Sequence, residues 1–208
     1  MTGVIYLHGF ASSPGSKKAA YFRRVLEAAG ATVDVPDLAQ GDFEHLTISS
    51  QLAVLEQAAA RRPVALIGSS LGAYLAALYA ARHREVTRLV LLAPAFGFAR
   101  RWPERLGAEA VEQWRSTRSL EVFHYAEQRM RPVNYALIED GLRYEDAPDF
   151  HQLALIFHGD RDEVVPAALS KDFAATHPNA TLEVVPDGHK MLEVLEFIGP
   201  RVVAFLAS

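Results

Sequence analysis

Val64-Ala65-Leu66-Ile67-Gly68-Ser69-Ser70-Leu71-Gly72-Ala73 is the stretch that decides the fold. An apolar run reads as a buried strand, Gly-x-Ser-x-Gly follows at once, and a helical pattern begins at Leu71. A serine in such a strand-to-helix turn is forced into a strained backbone conformation. Glycines two residues to either side, Gly68 and Gly72, let neighbouring backbone pass closely. The Ser70 hydroxyl then projects above the sheet, and the free N–H groups that open the helix favour an oxyanion beside it. A tight turn capped by serine would account for the pentapeptide alone, but not for the strand before it and the helix after it. Ser69 is the neighbour, not the nucleophile.

Working outward, further apolar runs occur at Gly3 to Leu7, Thr32 to Val35, Arg88 to Leu92, Leu153 to Phe157 and Leu182 to Val185, making six strands with Val64 to Ile67. They lack strict alternation, as strands of a parallel sheet buried on both faces do. Helices are expected at Lys17 to Ala29, Ile48 to Arg61, Leu71 to Arg82, Ala167 to Thr176 and Met191 to Phe205, where right-handed crossovers need them. The class is α/β, a mostly parallel six-stranded sheet flanked by helices. Between the fourth and fifth strands, Pro94 to Gln152 is far more than one crossover needs. This insertion carries an Arg100-Arg101-Trp102-Pro103 cluster, a short helix expected at Ala108 to Trp114, a hairpin of Leu120 to Tyr125 with Met130 to Val133, and a helix from about Asn134 to Tyr144.

With 208 residues, the chain is expected to form one domain, 1–208, with a modest insertion. It has no cysteine, which removes disulfides, zinc-cysteine sites, iron-sulfur clusters and thiol nucleophiles. The net charge of −4 argues against a general nucleic-acid binder. No run approaches the ~20 apolar residues that span a bilayer, and Met1-Thr2-Gly3-Val4-Ile5 has no basic segment and runs straight into a strand. A soluble cytoplasmic protein, with no membrane partner, is expected.

A serine hydroxyl needs a base and an orienting acid. Of eight histidines, only His177 and His189 follow Asp162. His177 precedes Pro178 at a helix end and reads as a solvated or capping residue, whereas His189 stands at a strand's C-terminal end, where open α/β sheets gather their sites. Asp160 and Asp162 share the turn after the fifth strand. Asp162 is favoured, since Asp160, directly after Gly159, is placed to hold the turn through side-chain to backbone bonds. The loop His8-Gly9-Phe10-Ala11 supplies a second oxyanion donor, the Phe10 N–H, beside that of Leu71, with His8 bracing the loop. The loop is no Walker A sequence, because Gly9 and Gly15 are followed by Ser-Lys.

These residues carry a resemblance. Tyr6-Leu7-His8-Gly9-Phe10-Ala11-Ser12-Ser13-Pro14-Gly15-Ser16-Lys17-Lys18-Ala19, with Gly-Ser-Ser-Leu-Gly and the ordered Asp and His, resembles the small YqiA-like esterases and related acyl-glucuronide and thioester hydrolases of the α/β-hydrolase superfamily. The likeness covers nearly the whole chain. It implies Ser70 as nucleophile, His189 as base, Asp162 as orienting acid, Phe10 and Leu71 as oxyanion donors, and the insertion, about 98–149, as a cap. Members that use a cysteine nucleophile are excluded.

The insertion holds Phe96, Phe98, Trp102, Trp114, Phe123, Tyr125, Tyr135 and Tyr144. Most would give it a small core of its own. Phe96, Trp102 and Trp114, with Met191 near the base, are the candidate substrate contacts. Its arginines read chiefly as a solvated face, although Arg100 and Arg101 are placed to meet an acidic substrate. The expectation is a serine hydrolase of soluble carboxylic esters or thioesters of short to medium acyl chains, needing neither metal nor organic cofactor. A small serine peptidase or amidase on the same scaffold, or a non-catalytic binding module that kept the fold, are the alternatives. The oligomeric state is not legible.

Overall fold

In the computed structural model, which describes residues 3–208, the chain runs β1 (Gly3–Leu7), α1 (Lys17–Ala28), β2 (Val33–Asp34), α2 (Ile48–Ala59), β3 (Val64–Ser69), α3 (Leu71–Ala80) and β4 (Val86–Leu92). It continues through α4 (Phe98–Leu106), α5 (Ala108–Thr117), β5 (Ser119–His124), β6 (Arg129–Asn134), α6 (Ala136–Gly141), β7 (Leu153–Gly159), α7 (Ala167–Thr176), β8 (Ala180–Val185) and α8 (Leu195–Ala207). Met1 and Thr2, the head of the run expected to enter the first strand directly, lie outside the described residues.

The main sheet has the order β2-β1-β3-β4-β7-β8, and every neighbouring pair is parallel. Both faces are buried. Along β1, Ile5 and Leu7 enter one core with α2, α3 and α7, while Val4 and Tyr6 enter another with α1 and α8. That two-sided burial is why the strands read as apolar runs without alternation. The sheet's winding reverses between β1 and β3, so the loops after these strands part around a crevice.

Local chemistry sets the boundaries. Ser16 caps α1, its hydroxyl accepting from the Ala19 N–H at 3.3 Å, and Thr47 with Ser50 forms a capping box on α2. α2 stops at Ala59 rather than Arg61, because Ala60 and Arg61 adopt positive φ. α8 starts at Leu195 rather than Met191, since Met191 has φ 49° and only a turn at 193–194 leads into the helix.

The insertion differs most from expectation. α4 was not anticipated: Phe98, Trp102 and Leu106 have helical spacing, but Pro103 lies among them and forgoes one backbone bond. The expected helix from Asn134 to Tyr144 shortens to α6, where the Asn134 side chain accepts from the Ala136 N–H at 2.9 Å. β5 and β6 form an antiparallel pair apart from the main sheet, with Val122 opposite Arg131. Two backbone bonds tie this hairpin to the body, Tyr125 N–H to the Ala11 carbonyl (2.9 Å) and Asn134 N–H to the Glu44 carbonyl (2.8 Å). No helix among the described residues is long and apolar enough to cross a membrane.

Candidate active site

Ser70 joins β3 to α3 with φ 55° and ψ −116°, a conformation that L-residues hold only under constraint. The constraint is visible. The Ser70 N–H donates to the Leu92 carbonyl at 2.8 Å, and its carbonyl accepts from Ala73, Tyr74 and Ala95. A Cβ at Gly68 would collide with the backbone of Gly72 and Ala73, and one at Gly72 with the Leu7 carbonyl, so both positions require glycine. A Cβ built on Gly9 would stand 3.5 Å from the Ser70 Cβ, which puts the loop after β1 directly alongside the serine.

The Ser70 hydroxyl lies 3.0 Å from Nε2 of His189, and His189 Nδ1 lies 2.7 Å from Oδ2 of Asp162. A carboxylate at Nδ1 makes that nitrogen the donor and leaves Nε2 to accept the serine proton. The Asp162 side chain is fully buried, whereas that of His189 keeps 21% of its exposure. Burial alone would raise the Asp162 pKa, but hydrogen bonds from His158, His189 and the Val165 N–H outweigh it and hold the carboxyl well below the usual carboxylate range. Among the described residues, the N–H groups of Phe10 and Leu71 have no acceptor within the protein, so one free donor stands on the loop after β1 and another at the start of α3.

Asp162 also does what was expected of its neighbour. Its Oδ1 accepts from Val164 N–H (2.9 Å) and Val165 N–H (2.8 Å), bracing the turn, while exposed Asp160 reaches only Arg161 at 3.5 Å. The two backbone donors lie after Asp162 in the chain, within reach of its side chain. Two further residues were not singled out. Buried His158 stands with Nε2 2.8 Å from the Val165 carbonyl and 3.3 Å from Asp162 Oδ2, and with Nδ1 2.7 Å from the Ser170 hydroxyl. Its four-residue spacing from Asp162 was the available signal. Asp187 braces the base loop, accepting from Gly188 N–H at 2.7 Å and Glu193 N–H at 2.9 Å.

Two other histidines brace local structure. His8 accepts the Leu38 N–H at Nε2 (3.3 Å), and burial pushes its pKa down. His177 closes α7 by a 2.8 Å bond from Nδ1 to the Phe173 carbonyl and stacks on the Phe173 ring. Burial pushes the Lys18 ammonium down to about 8 although Asp162 and Asp187 favour its charge.

The candidate substrate contacts separate. Met191 is completely buried in the core of α1 and α8, and Phe96 is buried against Phe173. Trp114, 1% exposed, donates its indole N–H to the Val133 carbonyl and packs against Tyr135. These three present no free surface to a ligand. Large apolar groups are buried by default, and here burial outcompetes a lining role. Trp102 is different: partly exposed, its ring centroid lies 5.0 Å from that of Phe10. Among the described residues, no group of three His, Asp or Glu is placed to hold a metal ion.

A model of the family described as Uncharacterised protein family (UPF0227) matches residues 3–207. No curated protein matches the chain. Among solved structures, Est1E from Butyrivibrio proteoclasticus with bound ferulic acid is 22% identical, with all of this chain and 88% of that one covered and a TM-score of 0.83. Mouse alpha/beta hydrolase domain-containing protein 10 is 20% identical (99% and 89% covered, TM-score 0.81). A monoacylglycerol lipase from Paleococcus ferrophilus is 17% identical (98% and 93% covered, TM-score 0.76). At these identities the likeness establishes the α/β-hydrolase fold.

Proposed function

Given that the chain belongs to the UPF0227 family and has the α/β-hydrolase fold, we propose that it is a serine hydrolase of soluble carboxylic esters or thioesters. The observation that carries this is the unbroken chain from Ser70 Oγ through His189 to Asp162, at 3.0 and 2.7 Å, anchored on a strained elbow. His189 Nε2 takes the Ser70 proton as Oγ attacks the carbonyl carbon. Asp162 stabilises the imidazolium, and the Phe10 and Leu71 N–H groups receive the oxyanion. The imidazolium then protonates the leaving alcohol or thiol, giving an acyl-enzyme. Water deprotonated by His189 releases the acid and restores Ser70. No step calls on a metal or organic cofactor.

In this reading the chain is one domain, residues about 98–149 are a cap that selects short to medium acyl groups, and the enzyme works in the cytoplasm. The esterase and lipase names among its structural neighbours support the reaction class. A fluorophosphonate probe tests it, since it labels only an activated serine. Wild type should be labelled at Ser70, and Ser70→Ala should lose the label and several orders of magnitude of p-nitrophenyl ester turnover while keeping its fold. Labelling at Ser69, or full labelling of Ser70→Ala, would refute the assignment.

A further inference from the structure

α4 carries Phe98, Arg101, Trp102 and Arg105 at positions i, i+3, i+4 and i+7, which share one helical face. One end of that face rests on the loop after β1: the ring centroids of Phe98 and Trp102 lie 6.1 and 5.0 Å from that of Phe10. The other end reaches the acid turn, where Arg105 donates to the Val164 carbonyl, and the Val164 N–H donates to Asp162. These two loops flank Ser70. Arg101 stands on the same face between these two ends, its stem against Gly97.

The other two arginines of α4 are engaged, Arg100 with Asp146 at 2.7 Å and Arg105 with the Val164 carbonyl. Among the described residues, Arg101 has no carboxylate within ion-pair distance and no hydrogen-bond acceptor, although it is partly buried. Burial and the neighbouring Arg105 both work against its charge, which Glu104 and Asp162 favour. Asp162 is not its partner, because both carboxylate oxygens are already held by N–H donors. A half-buried guanidinium without a counter-ion, on a helix that packs on both loops flanking Ser70, is suited to receive an anion from outside. Its planar fork matches a carboxylate. The net charge of −4 means that no general positive field attracts anions, so selection must be local.

We propose that Arg101 binds a carboxylate carried by the substrate, so that the preferred esters or thioesters are acidic ones bearing a negative charge near the scissile carbonyl. This rests on the hydrolase reading above. Trp102 supplies the apolar wall beside the charge.

Two matched pairs of esters test it: p-nitrophenyl hemiglutarate against p-nitrophenyl pentanoate for a charge on the acyl side, and 4-acetoxybenzoate against its methyl ester for the leaving-group side. In at least one pair, wild type should favour the anion in kcat/KM by about tenfold to a hundredfold, the range for a charge-assisted hydrogen bond. In Arg101→Gln that ratio should collapse towards one, chiefly through KM. Arg101→Lys should be intermediate, and a rise in salt should narrow the wild-type ratio. Ratios of one or below in both pairs, with neutral esters hydrolysed and the fluorophosphonate label taken up, overturn this inference alone. Absence of both turnover and labelling overturns the hydrolase reading and this inference with it. A preference that survives in Arg101→Gln but vanishes in Lys18→Met belongs to the ammonium at the start of α1 and also overturns the assignment to Arg101.

Discussion

Asp162→Asn is the most informative single change, because the four groups around this carboxylate all present N–H. Oδ2 faces His189 Nδ1 at 2.7 Å and His158 Nε2 at 3.3 Å; Oδ1 faces the N–H of Val164 at 2.9 Å and of Val165 at 2.8 Å. An amide must put its NH2 towards one pair. Turned to His189, it forces the imidazole proton onto Nε2, which then cannot accept the proton of Ser70. Turned to the backbone, it strands two N–H groups, each at about 1–3 kcal/mol, and leaves a neutral oxygen to face the imidazolium. We expect kcat to fall by about three to four orders of magnitude, or about 4–5.5 kcal/mol at ~1.36 kcal/mol per decade. A stability loss of at least ~2 kcal/mol should lower Tm by about 4–8 °C in a chain of this size. The pH dependence has a definite sign. The folded-state pKa of Asp162 is depressed, so its contribution is fully present above the unfolded value of about 3.9 and fades as pH falls below it. The stability deficit of Asp162→Asn should therefore shrink below about pH 4. Asp160→Asn, made in parallel, removes only an exposed contact to Arg161 and should stay within tenfold of wild type. A loss in Asp162→Asn below tenfold, a greater loss in Asp160→Asn, or a deficit that widens in acid would each refute the reasoning.

Trp114→Ala empties a buried, hydrogen-bonded site and should cost about 3–5 kcal/mol in chemical denaturation, whereas Trp102→Ala should cost less yet shift the preferred chain length on esters of two to twelve carbons. Equal Tm losses and unchanged chain-length profiles would contradict the separation of these two rings. Gly72→Ala drives a methyl into the Leu7 carbonyl, which β1 cannot yield without moving the loop that bears Phe10. It should cost about 1–3 kcal/mol and lower kcat as well, and a variant with wild-type Tm would show that the approach of β1 to α3 is not tight.

The elbow was legible because strand, Gly-x-Ser-x-Gly and helix are contiguous, and the order of acid and base after it is written in the chain. The six sheet strands were legible for a related reason: burial on both faces leaves apolar runs that little else produces. Other features depend on distance in space. That Asp162 holds its own turn was misattributed to Asp160, since both carboxylates stand near the same backbone and only coordinates tell which one reaches it. His158 escaped notice because its partners, Asp162 and Ser170, meet it only in space. α4 was hidden by Pro103, and Trp114 and Met191 were offered to a ligand because the pattern of the sequence does not reveal which side of an aromatic or thioether is already covered.

β8 is one of the two edge strands, paired only with β7, and the loop that follows it carries His189, while Ser70 leaves β3 from the interior of the sheet. Edge elements open at lower free energy than central ones. The proposed nucleophile and the proposed base are thus expected to sit in regions of unequal rigidity. In graded denaturant, turnover should disappear before the bulk secondary-structure signal does, with the β8 amides exchanging ahead of those in β3. An inactivated sample can then be one in which the serine still sits on an intact elbow and has lost only its proton acceptor.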